Sequence, residues 1–138
     1  MKQKRFPPIA LDPQAMIAVY FRALDEGHIE EVMELFNDNA SLSCPSDGTV
    51  CKGSTEIRAF FDRITEESDD MSHVILNVVT DENNQKCAVE LTYRDQLRTG
   101  ELWDMDNCNF FEFDEDGRFQ RVRFWMGANR AESGAPPD

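Results

Sequence analysis

The sequence predicts an α+β fold, with three helices in the first half of the chain packed on a curved antiparallel sheet formed by the second half. Two observations predict it. Apolar residues recur at helical spacing up to about Ile64, and from Met71 onward they alternate with a period of two. Helices that precede an antiparallel sheet pack on one of its faces. The size agrees, because 138 residues and 15.9 kDa make one ordinary domain.

The helices are marked by their start and stop residues. Asp12 precedes a proline and is the predicted N-cap of a first helix over residues 12–25. Gly27 ends this helix, and a short second helix follows, closed by Asn37–Asn39. The third helix begins with Ser54 as its predicted cap.

The strand predictions decide which side chains face the core. A short strand over residues 40–45 precedes four strand-like segments that follow Met71. Over residues 86–96 the alternation predicts that one set of side chains faces the core: Cys87, Val89, Leu91, Tyr93 and Asp95. Over residues 102–113 the alternation predicts that the side chains facing the core are those of Trp103, Met105, Asn107, Asn109, Phe111 and Phe113. Two amides are therefore expected in the middle of an apolar face.

Charge and cysteine spacing exclude several classes of partner. Fourteen Lys and Arg against 27 Asp and Glu give a net charge of −13, which opposes nucleic acid or an anionic membrane as partner. No apolar run approaches the roughly 18 residues of a membrane span. The first residues lack the apolar stretch of a secretory signal, so we expect a cytoplasmic protein with four free thiols. The Cys and His spacings support no metal site.

Five short motifs resemble one known superfamily. They are Tyr20-x-x-Ala23-Leu24-x-x-Gly27, Leu35-Phe36-Asn37-Asp38-Asn39-Ala40, Cys44-Pro45, Lys52-Gly53-x-x-x-Ile57-x-x-Phe60-Phe61 and Phe113-Asp114-Glu115-Asp116-Gly117-Arg118-Phe119. In order and spacing they resemble the NTF2-like superfamily, most closely its ketosteroid isomerase and SnoaL-like cyclase branch. The resemblance implies a cone in which three helices pack on the concave face of a strongly bent antiparallel sheet, with a pocket at the open end, usually in a homodimer. The domain is expected over residues 12–128, after an extension over 1–11 and before a mobile tail over 129–138.

The resemblance also implies roles for individual residues. Tyr20 matches the helix-1 tyrosine that in ketosteroid isomerases donates a hydrogen bond to the substrate oxyanion, and Asn109 falls where those enzymes place a protonated aspartic acid with the same role. Scytalone dehydratase is similar around residues 72–74 and 108–110, where it carries a catalytic histidine and a substrate-binding asparagine. Cys44 stands where the superfamily has its general base, but a buried thiol has little thiolate, so a Cys44 base is not expected.

His73 is the candidate proton carrier, because imidazole suits acid–base work near neutral pH. Alternation groups it with Ile75, Asn77 and Val79, opposite Val74, Leu76 and Val78. The alternative is a histidine at the surface or in a subunit interface. Asp95 is expected at the pocket rim, where it orients His73 or takes a proton itself; the alternative is a solvated carboxylate at a fraying strand end. For Tyr20 the alternative is a core tyrosine, and for Asn107 it is a structural amide.

Together these residues predict an enzyme that works without a cofactor on an apolar cyclic carbonyl or phenolic compound, a polyketide or terpenoid intermediate. Tyr20 and Asn109 hold an enolate oxygen while His73 moves a proton, in an isomerisation, cyclisation or dehydration. The other predicted contacts with the ligand are Cys44, Trp103, Met105, Asn107, Phe111, Phe124 and Met126. The alternative is a non-catalytic binding or assembly module. A homodimer is expected through the outward-facing side chains of Phe110, Arg121, Arg123 and Trp125.

Overall fold

The computed structural model describes residues 8–9 and 11–131. In chain order its elements are α1 (Pro13–Asp25), α2 (Ile29–Glu34), β1 (Phe36–Cys44), β2 (Thr49–Lys52), α3 (Gly53–Glu67), β3 (Ser72–Thr80), β4 (Lys86–Gln96), β5 (Leu102–Phe113) and β6 (Phe119–Met126). Three helices precede the C-terminal strands, as predicted. Most of the predicted extension, and residues 132–138 of the predicted tail, lie outside the described residues. None of the described helices is long and apolar enough to cross a membrane.

The six strands form one curved, unclosed sheet in the order β2-β1-β6-β5-β4-β3. The C-terminal strands β3 to β6 make the expected antiparallel meander, and β1 and β2 also pair antiparallel. Strand β1, however, runs parallel to β6, so the sheet is mixed rather than wholly antiparallel. Parallel neighbours need a long connection, and the segment from β2 to β5 provides it.

The core is an aromatic cluster around Tyr20, which is 3% exposed. Its ring meets those of Phe36, Phe61, Phe111 and Phe119 edge-on, with ring centroids between 5.4 and 6.1 Å apart. These rings come from α1, β1, α3, β5 and β6, so the cluster joins the helices to the sheet. Edge-to-face contacts of this kind add about 0.5–1.5 kcal/mol per pair to the burial of the rings themselves.

The structure corrects the end of the second helix and the start of the first strand. Helix α2 stops at Glu34, and Asn37–Asn39, which are predicted to close it, belong to β1 instead. Asn and Asp are rare in strands, which is why the sequence points to a turn. Here Asn37 Nδ2 donates to Asp114 Oδ2 at 2.6 Å, and β1 pairs with β6. Asn37–Asn39 lie in the irregular part of β1, between the Phe36–Phe119 and Ser41–Arg121 pairs, so contacts with distant segments on both sides of them override the local preference. The short strand β2 is not predicted from the sequence.

The start of α3 differs from the prediction as well. The N-cap position is occupied by Lys52, which makes no side-chain cap, and the Lys52 N–H donates to Glu56 Oε1 at 2.9 Å. Gly53 has a φ of 82°, which only glycine adopts without strain. The Ser54 hydroxyl donates to the Asp38 carbonyl at 3.2 Å, so it ties α3 to β1 rather than capping the helix.

The chain directly after β6 is held against β5 at residues 127–130, which include the first two residues of the predicted mobile tail. The Gly127 N–H donates to Asp106 O at 3.0 Å, and the Arg130 N–H donates to Asp104 O at 2.7 Å. The Arg130 guanidinium also lies 2.9 Å from the carboxylates of both Asp104 and Asp106. These contacts are polar, so hydrophobic periodicity gives no sign of them.

Gly127→Ala is expected to destabilise the protein by about 1–3 kcal/mol. A Cβ at this position would lie 2.3 Å from Asp106 O, and that carbonyl cannot move away without breaking its hydrogen bond to the Gly127 N–H. Urea unfolding measures the difference. Ala128→Ser, at the next, exposed residue, is the control and should change the free energy of unfolding by less than about 0.5 kcal/mol. Equal stability of the two variants would show that this segment is not docked on β5.

Candidate active site

A cavity of about 170 Å³ lies between helices α1 and α3 and the inner face of β4, β5 and β6. Much of its wall is apolar, including Leu24, Phe60, Ile64, Leu91, Phe124 and Met126. The polar residues that line it include Tyr20, His73, Tyr93, Asp95, Asn107 and Asn109. An apolar cavity with a few convergent polar groups is typical of a small-molecule site.

Asp25 holds His73 in a fixed orientation in this wall. The Asp25 carboxylate accepts the His73 backbone N–H at 2.9 Å, and its other oxygen lies 2.5 Å from His73 Nδ1. A carboxylate only accepts, so Nδ1 carries a proton and Nε2 is the basic nitrogen of the neutral ring. Nε2 has no hydrogen-bond partner among the described residues. The ring is also stacked between Phe21 and Tyr93, with centroids 4.8 and 4.9 Å away.

A bulge in β3 decides which way its side chains point. The register between β3 and β4 shifts between Ile75 and Asn77. One residue is thereby added to β3, so His73 before the bulge and Val78 after it both pair with inward residues of β4, Tyr93 and Val89. The prediction that Asn77 and Val79 share the face of His73 is wrong for this reason. His73 itself points inward and is 10% exposed, so the alternative of a surface histidine is excluded.

Asn109 and Tyr20 offer hydrogen-bonding groups to the same cavity. Asn109 is 7% exposed, and its Oδ1 is buried without a partner among the described residues. A half-turn of the amide exchanges its oxygen and its NH₂ group, so either can face a ligand. The Tyr20 hydroxyl likewise makes no hydrogen bond within the described part of the chain. Burial raises the pKa of Tyr20 above its usual value, so the phenol stays protonated and can donate.

Asp95 is buried in the cavity wall, but it does not orient His73. Its two oxygens accept hydrogen bonds from Ser68 Oγ at 2.5 Å and from Tyr93 Oη at 2.6 Å. Burial, followed by the hydrogen bond to Asp95, raises the pKa of Tyr93, which keeps that phenol neutral. The orienting role predicted for Asp95 therefore falls to Asp25. The alternative of a solvated, fraying Asp95 is also wrong, because the residue is 4% exposed.

The remaining predicted contacts divide into two groups. Those that line the cavity are Trp103, Asn107, Phe124 and Met126. Asn107 Oδ1 also accepts the Gly127 N–H at 3.1 Å, so this amide has a structural partner. The predicted contacts that are buried but lie outside the lining are Cys44, Met105 and Phe111. Alternation predicts the face on which a side chain lies, but not whether the cavity or other side chains cover it.

Asp25 is the functional candidate that the sequence analysis misses. It lies four residues after Phe21 and therefore continues the buried stripe of α1 to the end of the helix. A carboxylate in line with an apolar stripe is the signal that could have indicated a buried partner. Its contact with His73 joins residues 48 positions apart, which periodicity does not show. Among the described residues, no group of three or more His, Cys, Asp or Glu side chains could hold a metal ion.

The exposed Cys108 is expected to react with iodoacetamide at neutral pH, while the three buried cysteines do not. Burial raises the pKa of Cys44 and Cys51, and raises that of Cys87 to about 12, so little thiolate forms at these positions. Peptide mass spectrometry of the native protein checks the pattern, and Cys108→Ser should then remain unlabelled. Labelling of Cys44 as fast as that of Cys108, with loss of activity, would bring a thiolate mechanism back.

The comparison with protein families gives a clear assignment. The model of the SnoaL-like domain matches residues 17–122, and the chain therefore belongs to the SnoaL-like domain family. This confirms the predicted membership of the NTF2-like superfamily. No curated protein matches the chain.

Solved structures share the fold. A protein described as a polyketide cyclase from Pseudomonas putida KT2440 has a TM-score of 0.79 at 16% identity, covering 91% of this chain and 100% of that one. A protein with a ketosteroid isomerase-like fold from Catenulispora acidiphila DSM 44928, in complex with trimethylamine, has a TM-score of 0.77 at 12% identity. The match covers 91% of this chain and 96% of that one. The epoxide hydrolase/cyclase-like enzyme SalBIII, described as having a role in pyran ring formation in the polyether salinomycin, has a TM-score of 0.72 at 20% identity. The match covers 83% of this chain and 89% of that one. These similarities confirm the α+β cone.

Proposed function

We propose that the protein is an enzyme that moves a proton on an apolar cyclic carbonyl or phenolic compound, without a cofactor, in an isomerisation, cyclisation or dehydration. The observation that carries this proposal is the His73 ring in the cavity wall, with Nδ1 held by Asp25 and Nε2 left for a ligand. The aromatic wall suits the rigid rings of a polyketide or terpenoid intermediate.

The reaction follows from the groups around the cavity. His73 Nε2 takes a proton from the carbon next to the ligand carbonyl, and the electron pair of the broken C–H bond moves onto the carbonyl oxygen. The Asn109 amide and the Tyr20 hydroxyl donate hydrogen bonds to this oxygen as its charge develops. Asp25 stabilises the imidazolium that forms and keeps the ring in place. The imidazolium then returns the proton to another carbon of the ligand, or to a departing hydroxyl in a dehydration.

Ligand binding without catalysis is the second candidate, and Cys44 favours it. This residue stands where the superfamily resemblance places a general base, but it is fully buried and its pKa is raised by burial. It cannot take over the role of that base. A binding module would hold the same ligand in the same cavity and leave its protons in place.

Deuterium incorporation separates the two candidates. The wild-type protein is incubated in heavy water with cyclic ketones and with phenolic polyketide analogues, and NMR follows the signal of the acidic C–H. The enzyme is expected to exchange that hydrogen faster than buffer alone, whereas a binding module leaves the exchange rate unchanged. A compound that binds, as shown by a thermal shift, but does not exchange would contradict the proposed chemistry.

A homodimer through the outer face of the sheet belongs to the same proposal. On this face the Arg123 guanidinium lies 5.2 Å and 5.3 Å from the ring centres of Phe110 and Trp125, and Trp125 is 37% exposed. Aromatic and arginine side chains are enriched in protein interfaces. Arg121 lies on the same face, one β6 position before Val122.

Sedimentation at micromolar concentration is expected to give about twice the chain mass of 15.9 kDa. Trp125→Glu should shift the protein toward the monomer, because it introduces a charge into the covered face. Leu11→Glu replaces another exposed apolar residue outside the sheet and should leave the dimer intact. A wild-type protein that sediments only at the chain mass would contradict the dimer.

A further inference from the structure

A carboxylate, that of Asp95, is buried in the cavity wall. Asp95 is 4% exposed, and its hydrogen-bond partners, the hydroxyls of Ser68 and Tyr93, are uncharged. Among the residues that the structure describes, no Lys, Arg or His forms an ion pair with it. Each carboxylate oxygen accepts one hydrogen bond and keeps a second lone pair. Burying a carboxylate is costly unless a positive charge offsets it, so this position favours a cation, which the described residues do not supply.

Two aromatic residues, Tyr93 and Trp103, lie beside Asp95. Trp103 is the direct neighbour of Asp95 across the β4–β5 pair, and the Tyr93 hydroxyl donates to the carboxylate. The rings of Tyr93 and Trp103 meet edge to face, with centroids 6.2 Å apart at 84°. All three side chains line the cavity. The face of an aromatic ring attracts a cation, most strongly for Trp, and one face of Tyr93 is covered by the His73 ring, so Trp103 is the ring that adds to the attraction of the carboxylate.

The other charges of the cavity point the same way. Asp47 and Glu67 line it as well, and Arg63 is the one Lys or Arg in the described lining. Its guanidinium lies over the Phe60 ring, 5.5 Å from the centroid, and 3.9 Å from Glu67 Oε2, so its charge is already paired. The whole chain carries a net charge of −13, which attracts cations to the mouth of the cavity.

We propose that the ligand of this cavity carries a protonated or quaternary amine, which lies against the Asp95 carboxylate and the Trp103 ring. The carbonyl or phenolic part of the same ligand then extends toward Asn109 and His73. The proposal rests on the proposed function in using the same cavity, and it narrows the ligand class from apolar cyclic compounds to amine-bearing ones.

Two probes of matched shape test this directly. Phenyltrimethylammonium and tert-butylbenzene differ in one atom, a charged nitrogen in place of a carbon, so their affinities isolate the contribution of the charge. Trp103 lies in the cavity, and its fluorescence reports the binding of either probe. The wild-type protein is expected to bind the ammonium probe at least about tenfold more tightly. Equal affinities, or tighter binding of tert-butylbenzene, would overturn the proposal whatever the variants show.

Asp95→Asn identifies the group responsible. This variant keeps the shape of the side chain and removes its charge, so it should bring the ratio of the two affinities close to one while the affinity for tert-butylbenzene stays the same. Ser68→Ala is the matched control, because it removes one hydrogen bond from the same carboxylate and leaves the charge; it should keep the preference for the ammonium probe. A preference that survives in Asp95→Asn would overturn the role of Asp95. The outcome is independent of the proposed chemistry, since a variant that has lost His73 should still prefer the ammonium probe.

Discussion

His73→Gln is expected to lower the rate of deuterium incorporation by about 10²- to 10⁴-fold, the range for loss of a general acid–base group. Glutamine fills part of the space between Phe21 and Tyr93, but an amide cannot accept and return a proton near neutral pH. The rate is measured by NMR with the compound that wild type exchanges fastest. His73→Ala should lose the same activity and, in addition, some stability, because it leaves a cavity between two rings.

The other histidine provides the matched control. His28 is exposed in the turn between α1 and α2, and its ring lies near the carboxylates of Glu26 and Glu31 rather than in the cavity. His28→Gln should therefore exchange at the wild-type rate. If His73→Gln also kept the wild-type rate, His73 would not be the proton carrier, and Asp95 would be the next group to test.

Asp25→Asn should lower the rate without abolishing binding, because it removes the charge that stabilises the imidazolium.

Asn109→Ala is expected to lower turnover by about 10²-fold or more, the size of effect seen when one donor to a developing oxyanion is removed. Binding should change much less, because the ligand oxygen carries little charge before the proton is removed. The fold should remain intact, since Asn109 Oδ1 has no hydrogen-bond partner among the described residues that could be lost. Separate measurement of kcat and KM distinguishes this from loss of simple affinity.

Asn77→Ala is the control for Asn109→Ala. Asn77 is an exposed asparagine on a neighbouring part of the sheet, and its Nδ2 donates to Glu90 Oε1 at 3.0 Å, away from the cavity. Its substitution should leave both kcat and KM unchanged. An Asn109→Ala protein with raised KM and unchanged kcat would show that the amide binds the ligand equally in the ground and transition states, and would contradict its role as an oxyanion donor.

The sequence predicts the fold well where one face of an element is buried continuously. The stripe of α1 and the alternation of β4 and β5 place Tyr20, Asp95 and Asn109 inward, and the structure agrees. The prediction fails where distant segments decide the local structure. Asn37–Asn39 lie in β1 because β6 pairs with the residues on either side of them, Phe36 and Ser41. The residues around Arg130 are docked by charge rather than by apolar contacts.

The candidate site is predicted only in part for a related reason. Local patterns identify His73, but the bulge that determines the facing of β3 is a feature of pairing with β4 and leaves no mark in the alternation. The partner of His73 comes from the end of α1, and the hydrogen bond spans 48 residues. Inward parity also groups Asn109 with Phe111, although the first lines the cavity and the second lies in the aromatic cluster.

A crystal structure with bound 2-naphthol tests the central claim, that Tyr20, Asn109 and His73 act on one ligand in one cavity. The conjugate base of this phenol, the naphtholate, resembles the enolate of a cyclic ketone in shape and in the charge on its oxygen. The account predicts that the naphthol ring occupies the cavity, with its oxygen about 2.6–3.0 Å from the Asn109 amide or the Tyr20 hydroxyl and with His73 Nε2 facing a ring carbon. A naphthol bound outside the cavity, or bound inside with its oxygen turned away from both donors, would contradict it.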